Sequence, residues 1–271
     1  MNGSVDQAKA ESFAHSVIKL GGSILEDPTL RAAALSSIAD AWRAGESIVV
    51  VHGGGKKIDS SLAELGIPKQ VHRGLRITDD KTLEVVVGVL AGIVNKMLVG
   101  ELTALGIPAA GISGADGSTL LADVHPNVDL VRLGNVGKVA TANGALIQAI
   151  SSRGFLPVVA SVAIGRGGRL LNVNADAAAA AIAVALGARN LVYLTDVEGL
   201  LDEYGHLVPS LTADVAQQLV EHSVIKGGML PKLQSAVEAL TGGVENVLIA
   251  GAQYHQTAVL NGNGGTHLVA A

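Results

Sequence analysis

Two glycine turns, each after a short apolar run, are the first features of this sequence with the residue types to bind an anion. Lys19-Leu20-Gly21-Gly22-Ser23 ends a predicted strand over residues 16–20, and His52-Gly53-Gly54-Gly55 ends a second over 47–52. Because glycine has no side chain, backbone N–H groups there can approach a phosphate or carboxylate closely, and Lys19 adds a positive charge. Taken alone, a Gly-Gly pair at the end of a strand is more often a plain turn. Three successive glycines favour close approach of a ligand, since each costs conformational entropy that a loose loop does not require.

Two later segments place charged side chains near predicted helix starts. Asn172-Val173-Asn174-Ala175-Asp176 precedes an alanine-rich helix, which an Asn or Asp would cap. Its alternating polar residues also predict an extended segment with three polar groups on one face, where a carboxylate would orient lysines. Lys226-Gly227-Gly228-Met229-Leu230-Pro231-Lys232 puts a lysine in the first turn of a helix, where positive charge opposes the helix dipole. A nearby anion would explain that position.

Two further motifs leave alternatives open. Arg76, within Gly74-Leu75-Arg76-Ile77-Thr78, is either a solvated surface charge or a bidentate clamp for a carboxylate. The segment Thr195-Asp196-Val197-Glu198-Gly199-Leu200-Leu201 follows a predicted strand and is either an ordinary turn or part of a nucleotide pocket.

Several other kinds of site lack their sequence signature. The first glycine turn matches neither the Walker pattern nor Gly-x-Gly-x-x-Gly, and the serines lack a Gly-x-Ser-x-Gly elbow. Eight histidines without ligand spacing, and the absence of cysteine, argue against a protein-bound zinc site. Any metal is therefore expected to arrive with a nucleotide, and His52 is expected only to shape its glycine turn.

Short β-branched runs alternate with longer Ala/Leu-rich segments, which predicts repeated β-α-β units and an α/β fold with mainly parallel strands. The predicted strands lie at 16–20, 47–52, 109–112, 156–160, 190–195 and 246–250, and the predicted helices at 27–44, 55–65, 79–105, 142–153, 176–186 and 230–241. Residues 111–133 are rich in turn residues and predict a hairpin or lid, and 264–269 predicts a turn into an edge strand. Because parallel strands end at one edge of a sheet, we expect the glycine turns and segment 195–201 to meet there.

Composition limits the classes of partner. The 271 residues carry a net charge of −5, so a broad basic surface for nucleic acid or membrane is not expected. A hydrophobic fraction of 49% with only 2% aromatics predicts a core of Ala, Val, Leu and Ile, which suits a parallel sheet covered by helices. The first 15 residues lack the apolar core of a secretory signal, and charged or polar groups interrupt every later apolar run before 18 residues. We therefore expect a cytoplasmic protein.

Taken together and in order, six sequence blocks resemble the N-acetylglutamate kinases of the amino acid kinase family. They cover the chain from about Val17 to Val269. The resemblance implies a three-layer αβα sandwich with a central, mainly parallel sheet. It also implies ATP-dependent phosphorylation of the side-chain carboxylate of N-acetyl-L-glutamate, a step of arginine biosynthesis. The blocks are Lys19-Leu20-Gly21-Gly22, His52-Gly53-Gly54-Gly55, Gly74-Leu75-Arg76-Ile77-Thr78, Asn172-Val173-Asn174-Ala175-Asp176, Thr195-Asp196-Val197-Glu198-Gly199 and Gly227-Gly228-Met229-Leu230-Pro231-Lys232.

The resemblance also implies residue roles. Lys19 and Lys232 would neutralise the transferred phosphoryl group, and Asp176 would organise them. The phosphate would receive amide donors from Gly21, Gly22 and Gly54. The acceptor would be held by Gly54, Gly55, Arg76 and Asn172, with Arg76 on a substrate carboxylate. The nucleotide would be flanked by Asp196, Val197, Glu198, Gly199, Leu200, Leu201, Val224, Ile225 and Lys226. Magnesium would be carried by ATP.

The same resemblance implies the organisation of the chain. Residues 1–16 would be an N-terminal extension, 17–165 the acylamino-acid lobe with the dimer contacts, and 166–271 the nucleotide lobe, with one continuous sheet through both lobes. In the members of the resembling family that arginine inhibits, a longer N-terminal helix links dimers into a hexameric ring. Because only about 16 residues precede the first strand here, we expect a homodimer that arginine does not inhibit. The chain departs from the family pattern at Lys56-Lys57, where a proline is expected near position 56.

Two alternatives to this function remain open at the level of sequence. One is a kinase of the same fold that acts on an acylated aminoadipate in lysine biosynthesis. The other is a protein that keeps the fold as a non-catalytic ligand sensor.

Overall fold

An eight-stranded sheet with helices on both faces organises the computed structural model, which describes residues 15–221, 228–251 and 264–269. Neighbouring strands are parallel except β13 and β14, so the predicted mainly parallel αβα sandwich is confirmed. In order across the sheet the strands are β12 (Ser210–Thr212), β14 (Thr266–Val269), β13 (Asn246–Gly251), β11 (Asn190–Thr195), β1 (His15–Leu20), β2 (Ser47–His52), β8 (Leu156–Ala160) and β5 (Ala109–Ser113).

The helices divide between the two faces of the sheet because side chains alternate along each strand. In β1, Ile18 and Leu20 join the core beneath α1 to α5, whereas Val17 joins the core beneath α6 to α9. The helices are α1 (Gly22–Glu26), α2 (Pro28–Arg43), α3 (Gly55–Glu64), α4 (Asp80–Val87), α5 (Asn95–Ala104), α6 (Ala145–Ser151), α7 (Ala175–Leu186), α8 (Ala213–Glu221) and α9 (Met229–Thr241).

A small barrel and a hairpin complete the cleft side of the fold. The barrel strands are β6 (Leu120–Val124), β7 (Val136–Ala142), β9 (Val162–Ile164) and β10 (Leu170–Val173), and the hairpin strands are β3 (Val71–His72) and β4 (Leu75–Arg76). Strands β6 and β7 form an antiparallel pair. Strand β6 lies in the segment 111–133, for which a hairpin or lid was predicted, whereas β7 lies beyond it. Strand β10 lies just beyond the proposed lobe boundary at 165 but pairs with β9 and β7, so a boundary there would cross a hydrogen-bonded barrel.

Two predicted elements need correction, and one short helix was not predicted. The helix expected over 27–44 is confirmed as α2, where the Asp27 carboxylate accepts hydrogen bonds from the N–H groups of Thr29 and Leu30 and caps the helix. The short helix α1, directly before it, was missed. The helix expected from Ala142 begins at Ala145, since Ala142 still belongs to β7. The final strand, β14, is not at the edge of the sheet, because β12 pairs with its outer side. Strand β12 is only three residues long, too short to show a strand periodicity.

The predicted helix over 79–105 forms as one run, α4 to α5, joined by a π-helical segment at Gly88–Val94. Among the described residues this is the one helix long and apolar enough to cross a membrane, judged by length and composition alone. One side of it, including Val86, Leu90, Leu98 and Leu102, is buried in the core beside the sheet. The packing of that side accounts for the apolar composition.

Candidate active site

Three charged side chains from separate elements meet above the carboxyl end of the sheet. Lys19 lies near the end of β1, Asp176 in the first turn of α7 and Lys232 at the start of α9. Lys19 Nζ is 2.6 Å from Asp176 Oδ1, and Lys232 Nζ is 3.6 Å from Asp176 Oδ2. Their side chains are only 7%, 6% and 12% exposed for Lys19, Asp176 and Lys232. The structure thus brings together the three residues that the sequence motifs singled out.

The electrostatics of this cluster favour an additional anion. Burial lowers the pKa of Lys19, and the nearby Lys232 lowers it further, while the carboxylate of Asp176 opposes both effects. With both lysines protonated, two positive charges share one carboxylate. An anionic group entering the cleft would offset the remaining positive charge in a place that water reaches poorly.

The start of α7 fixes the position of Asp176. Asn174 Oδ1 accepts hydrogen bonds from the N–H groups of Asp176 and Ala177, at 2.7 and 3.1 Å, and caps the helix. Because the helix has already begun, Asp176 does not share one extended face with Asn172 and Asn174, and that prediction was wrong. The capping interpretation of Asn174 is confirmed.

A buried contact ties the start of α9 to the sheet. Tyr193, the β11 residue beside Lys19 in register, is fully buried, and its hydroxyl donates to Ser235 Oγ at 2.9 Å. Ser235 Oγ in turn donates to the backbone oxygen of Lys232 at 3.0 Å. This chain of hydrogen bonds holds the backbone of Lys232 over the strand that neighbours Lys19.

A cleft of about 490 Å³ extends from this cluster toward α3 and the β3–β4 hairpin. Its lining includes most of the residues that the resemblance assigned to catalysis, phosphate and acceptor: Lys19, Gly22, Gly54, Gly55, Arg76, Asn172 and Asp176. A larger cavity, of about 680 Å³, lies between α7, α9 and β7, and none of the residues assigned to catalysis, phosphate or acceptor lines it. The chemistry therefore belongs to the smaller cleft.

Arg76 lies at the far end of the cleft and is not a solvated surface charge, since its side chain is 12% exposed. Its Nη2 donates to the backbone oxygen of Gly55 at 3.1 Å and to the carboxylate of Asp59. Its Nη1 is buried and has no hydrogen-bond partner among the described residues. A buried guanidinium nitrogen without a partner is an available donor for a ligand oxygen.

Asp59 balances the charge at this end of the cleft. Besides Arg76, its carboxylate pairs with Lys69 Nζ at 2.6 Å. Burial alone would raise the pKa of Asp59, but hydrogen bonds from Lys69 and Arg76 outweigh that effect and lower the pKa. Asp59 and Lys69 were not predicted from the sequence. Asp59 pairs with Arg76 and Lys69 pairs with Asp59, and no local spacing reveals these contacts.

Asn172 is linked to Arg76 through Thr78. Asn172 Nδ2 donates to Thr78 Oγ1 at 3.2 Å, and Thr78 Oγ1 donates to the backbone oxygen of Arg76 at 2.7 Å. Thr78 is fully buried. It ends the Gly74–Thr78 block, and its hydroxyl at the entry to α4 was a signal that sequence reasoning did not use.

The glycines of the first turn differ in what they offer. Gly21 N–H donates to the backbone oxygen of Leu194 at 3.0 Å, and a Cβ on Gly21 would lie 2.9 Å from that oxygen. The expectation that Gly21 supplies an amide to phosphate therefore needs correction: this glycine lets β1 leave the sheet beside β11. Gly22, by contrast, lines the cleft at the first position of α1.

The glycines of the second turn are also partly explained by packing. A Cβ on Gly53 would lie 3.2 Å from Ala175 Cβ, and one on Gly54 would lie 2.9 Å from Leu90 Cδ2. A Cβ on Gly55 would meet nothing within 4 Å. Close approach of neighbouring helices, and not only of a ligand, thus requires glycine at the first two positions.

The model of the amino acid kinase family matches residues 16–251. The acetylglutamate kinase of Rubrobacter xylanophilus is 44% identical over 235 residues, which cover 87% of this chain and 88% of that protein. The acetylglutamate kinase of Oleidesulfovibrio alaskensis is 42% identical over 241 residues, 86% of this chain and 82% of that protein. The chain belongs to the amino acid kinase family, among the acetylglutamate kinases. The resemblance drawn from the six blocks is confirmed.

A solved structure of a related protein agrees in fold. The N-acetylglutamate synthase from Neisseria gonorrhoeae, complexed with coenzyme A and N-acetyl-glutamate, superposes with a TM-score of 0.80 at 27% identity. The match covers 94% of this chain and 59% of the synthase chain. The amino acid kinase fold is thus also found as part of a longer protein, a synthase.

The residues expected near the nucleotide follow β11 and split into two groups. Gly199 and Leu200 are buried: the Leu200 N–H donates to Thr266 Oγ1 at 2.8 Å, and a Cβ on Gly199 would lie 2.7 Å from the same oxygen. The exposed members are Asp196, Val197, Glu198 and Leu201. Val224, Ile225 and Lys226 lie outside the described residues. In the part of the chain that the structure describes, no three acidic or histidine side chains converge as metal ligands.

His52, expected only to shape its glycine turn, is a fully buried polar residue. Its Nδ1 lies 2.9 Å from the backbone oxygen of Gly53, and its Nε2 lies 3.1 Å from Asn95 Nδ2. Burial lowers the pKa of His52 from 6.5 to about 4, so the imidazole is neutral in the folded protein at physiological pH.

This burial predicts a pH-dependent stability. Between about pH 6.5 and pH 4 the unfolded chain binds a proton at His52 that the folded protein does not bind. The free energy of unfolding should therefore fall with decreasing pH across this range, by about 3 kcal/mol from His52. Urea denaturation of the wild type and of His52→Asn at a series of pH values measures it. The other titrating groups are the same in both proteins. Because the variant lacks the His52 imidazole, its free energy of unfolding should depend less steeply on pH, and equal slopes would contradict the prediction.

Proposed function

We propose that this protein transfers the γ-phosphoryl group of ATP to the side-chain carboxylate of N-acetyl-L-glutamate, forming N-acetyl-L-glutamyl 5-phosphate for arginine biosynthesis. The observation that carries this proposal is a cleft with Lys19 and Asp176 at one end and Arg76 at the other, with Lys232 paired to Asp176 beside it. Such a cleft matches an acceptor with two carboxylates, one held by a guanidinium and one that reacts. Membership among the acetylglutamate kinases supports the choice of acceptor.

The arrangement suits a carboxylate nucleophile. A carboxylate is already ionised at neutral pH, so phosphoryl transfer to it needs positioning and charge neutralisation more than a general base. The acceptor oxygen forms a bond to the γ-phosphorus while the bond from that phosphorus to the β,γ-bridging oxygen breaks, and ADP leaves with the electron pair. Lys19 and Lys232 face the negative charge on the transferred group, and Asp176 keeps both ammonium groups in place.

The remaining contacts follow from the same cleft. Arg76 would hold the α-carboxylate of the acceptor through its Nη1, which no described residue contacts by a hydrogen bond, and Asn172 and Gly55 would lie beside it. Gly22 and Gly54 would donate backbone N–H groups to the phosphoryl oxygens. Magnesium bound to the ATP phosphates would supply further positive charge. The nucleotide would lie over the exposed residues after β11 and over 224–226, within a nucleotide lobe of residues 166–271.

The decisive assay supplies MgATP with N-acetyl-L-glutamate and measures both ADP and the acyl phosphate, trapped as its hydroxamate. We expect equal amounts of ADP and hydroxamate. Lys56 lines the cleft where the family pattern has proline, and it adds a positive charge beside the acceptor. Because this charge bears on which acceptor is preferred, N-acetylated aminoadipate is the second acceptor to test. Turnover of N-acetylated aminoadipate without any turnover of N-acetyl-L-glutamate would replace the proposed acceptor. Binding of N-acetyl-L-glutamate without any turnover would favour a ligand sensor.

The homodimer and the cytoplasmic location remain predictions.

Substitution of Lys232 tests the lysine cluster. Because its charge is proposed to act on the transferred group, Lys232→Ala should lower kcat about a hundredfold or more while changing the KM for N-acetyl-L-glutamate less than about threefold. Lys19→Ala should act in the same direction. Lys232→Arg, which keeps the charge, is the matched control and should retain more activity than the alanine variant. An unchanged kcat in both alanine variants would refute the assignment.

Substitution of Arg76 tests the acceptor end of the cleft. Arg76→Ala should raise the KM for N-acetyl-L-glutamate about tenfold or more, because the guanidinium would hold a carboxylate that is present throughout the reaction. The KM for ATP should stay near the wild-type value. Arg76→Lys should not restore binding, since an ammonium group cannot replace the planar pair of donors. A defect confined to ATP would contradict this role.

A further inference from the structure

The imidazole of His52 belongs to a buried hydrogen-bond network beneath the glycine turn. Asn95, at the first position of α5, is fully buried, and its Nδ2 lies within hydrogen-bond distance of three acceptors. These are His52 Nε2 at 3.1 Å, the backbone oxygen of Val158 at 2.9 Å and that of Ile112 at 3.2 Å. Asn95 Oδ1 accepts from Lys96 Nζ at 3.0 Å. Every polar atom of the two buried side chains therefore has a partner.

The network allows one protonation pattern. The Lys96 ammonium only donates, so it must face Asn95 Oδ1, which directs the amide Nδ2 toward His52. Since that Nδ2 donates, His52 Nε2 must accept and carries no hydrogen. The hydrogen of the neutral ring is therefore on Nδ1, where it is donated to the backbone oxygen of Gly53.

The helix opposite is shaped to hold this network. The π-helical segment Gly88–Val94 ends directly before Asn95, and Leu90 and Val94 from it pack on Gly54. On the far side, a Cβ on Gly111 would overlap Asn95 Oδ1, so glycine there leaves room for the amide. Gly111 also accepts from Lys96 Nζ through its backbone oxygen at 3.0 Å. Single π-helical turns within α-helices are frequent at functional sites.

The bond to the Gly53 oxygen determines where the next N–H points. In a planar trans peptide the C=O and the following N–H point in opposite directions, and the described backbone contains no cis bond. With the Gly53 oxygen turned inward to His52, the N–H of Gly54 is directed away from the ring. Gly53, Gly54 and Gly55 line the cleft, and the Gly54 N–H has no partner among the described residues.

We propose that His52, held by Asn95, is a positioning residue for phosphoryl transfer: it fixes the Gly53–Gly54 peptide so that the Gly54 N–H is aimed into the cleft. Glycine peptides rotate easily, and the only hydrogen bond that the described residues make to this peptide is the one from His52. The inference rests on the proposed function for the identity of the group that receives the Gly54 N–H. In this role His52 neither contacts the substrate nor transfers a proton. It acts only by holding the Gly53–Gly54 peptide.

A pair of variants separates this role from simple core packing. The amide nitrogen of Asn overlaps the position of imidazole Nδ1, so His52→Asn keeps the donor to Gly53. The amide of Gln overlaps Nε2, so His52→Gln keeps the contact with Asn95 and loses the donor to Gly53. We expect His52→Gln to lower kcat/KM for N-acetyl-L-glutamate about tenfold or more, because a displaced amide donor no longer faces the reacting group. His52→Asn should stay within about threefold of the wild type.

Two further measurements complete the test. The Kd of MgATP, from calorimetry, should rise by a smaller factor in His52→Gln than kcat/KM falls, because only one of the donors to the γ-phosphate is displaced. Equal losses of kcat/KM in His52→Asn and His52→Gln, or no loss in either, would overturn the proposal. Nitrogen-15 NMR of labelled histidine reports the tautomer without any turnover: we expect Nδ1 protonated and Nε2 bare, with a protonated Nε2 overturning it. If the wild type shows no kinase activity the proposed function fails, while the NMR result still decides the orientation of the ring.

Discussion

The buried ion pair between Lys19 and Asp176 is the interaction on which the rest of the site depends. A carboxylate that is almost completely removed from water is stable only if it is paired, and removing one partner of such a pair costs on the order of 3–5 kcal/mol. Several local structures serve this pair. The Asn174 cap sets the first turn of α7, Gly21 lets β1 end close beside β11, and the Tyr193–Ser235 contact holds α9 so that Lys232 is the second partner. The result is a cluster with more positive than negative charge, facing a cleft.

The opposite end of the cleft follows the same electrostatic principle. Arg76 and Lys69 share the carboxylate of Asp59, which holds the guanidinium in place and leaves its Nη1 without a partner in the described part of the chain. Each cationic end thus has one carboxylate that orients it and an excess of positive charge for a ligand. Between the ends, the second glycine turn brings backbone N–H groups to the cleft. A small molecule with two carboxylates and a transferred phosphoryl group matches this distribution of charge, which is why the cleft and the family membership lead to the same proposal.

The accuracy of the sequence predictions varied with the range of the interactions involved. Strands β2, β8 and β11 were predicted to the residue, because their β-branched runs are bounded by clear turn signals. Helix α7 was predicted to within one residue from its cap. The barrel strands β9 and β10, of three and four residues, were missed because pairing with distant strands, and not local periodicity, makes them strands. Gly21 was misassigned for a related reason: in sequence it resembles a phosphate turn, whereas its N–H is bonded to a neighbouring strand.

Residue type and spacing indicated an anion site, since local propensity and charge are properties of short segments. The order of the six sequence blocks, through their resemblance to the N-acetylglutamate kinases, added phosphoryl transfer to a carboxylate. The tertiary structure was needed to show which hydrogen-bond donors already have a protein partner and which can reach a ligand. Whether the Gly21 N–H is bonded, whether Arg76 is solvated, and whether His52 has Asn95 beneath it depend on contacts between residues far apart in the chain. Burial and hydrogen bonding are pairwise properties of the folded chain, so no single segment of sequence contains them.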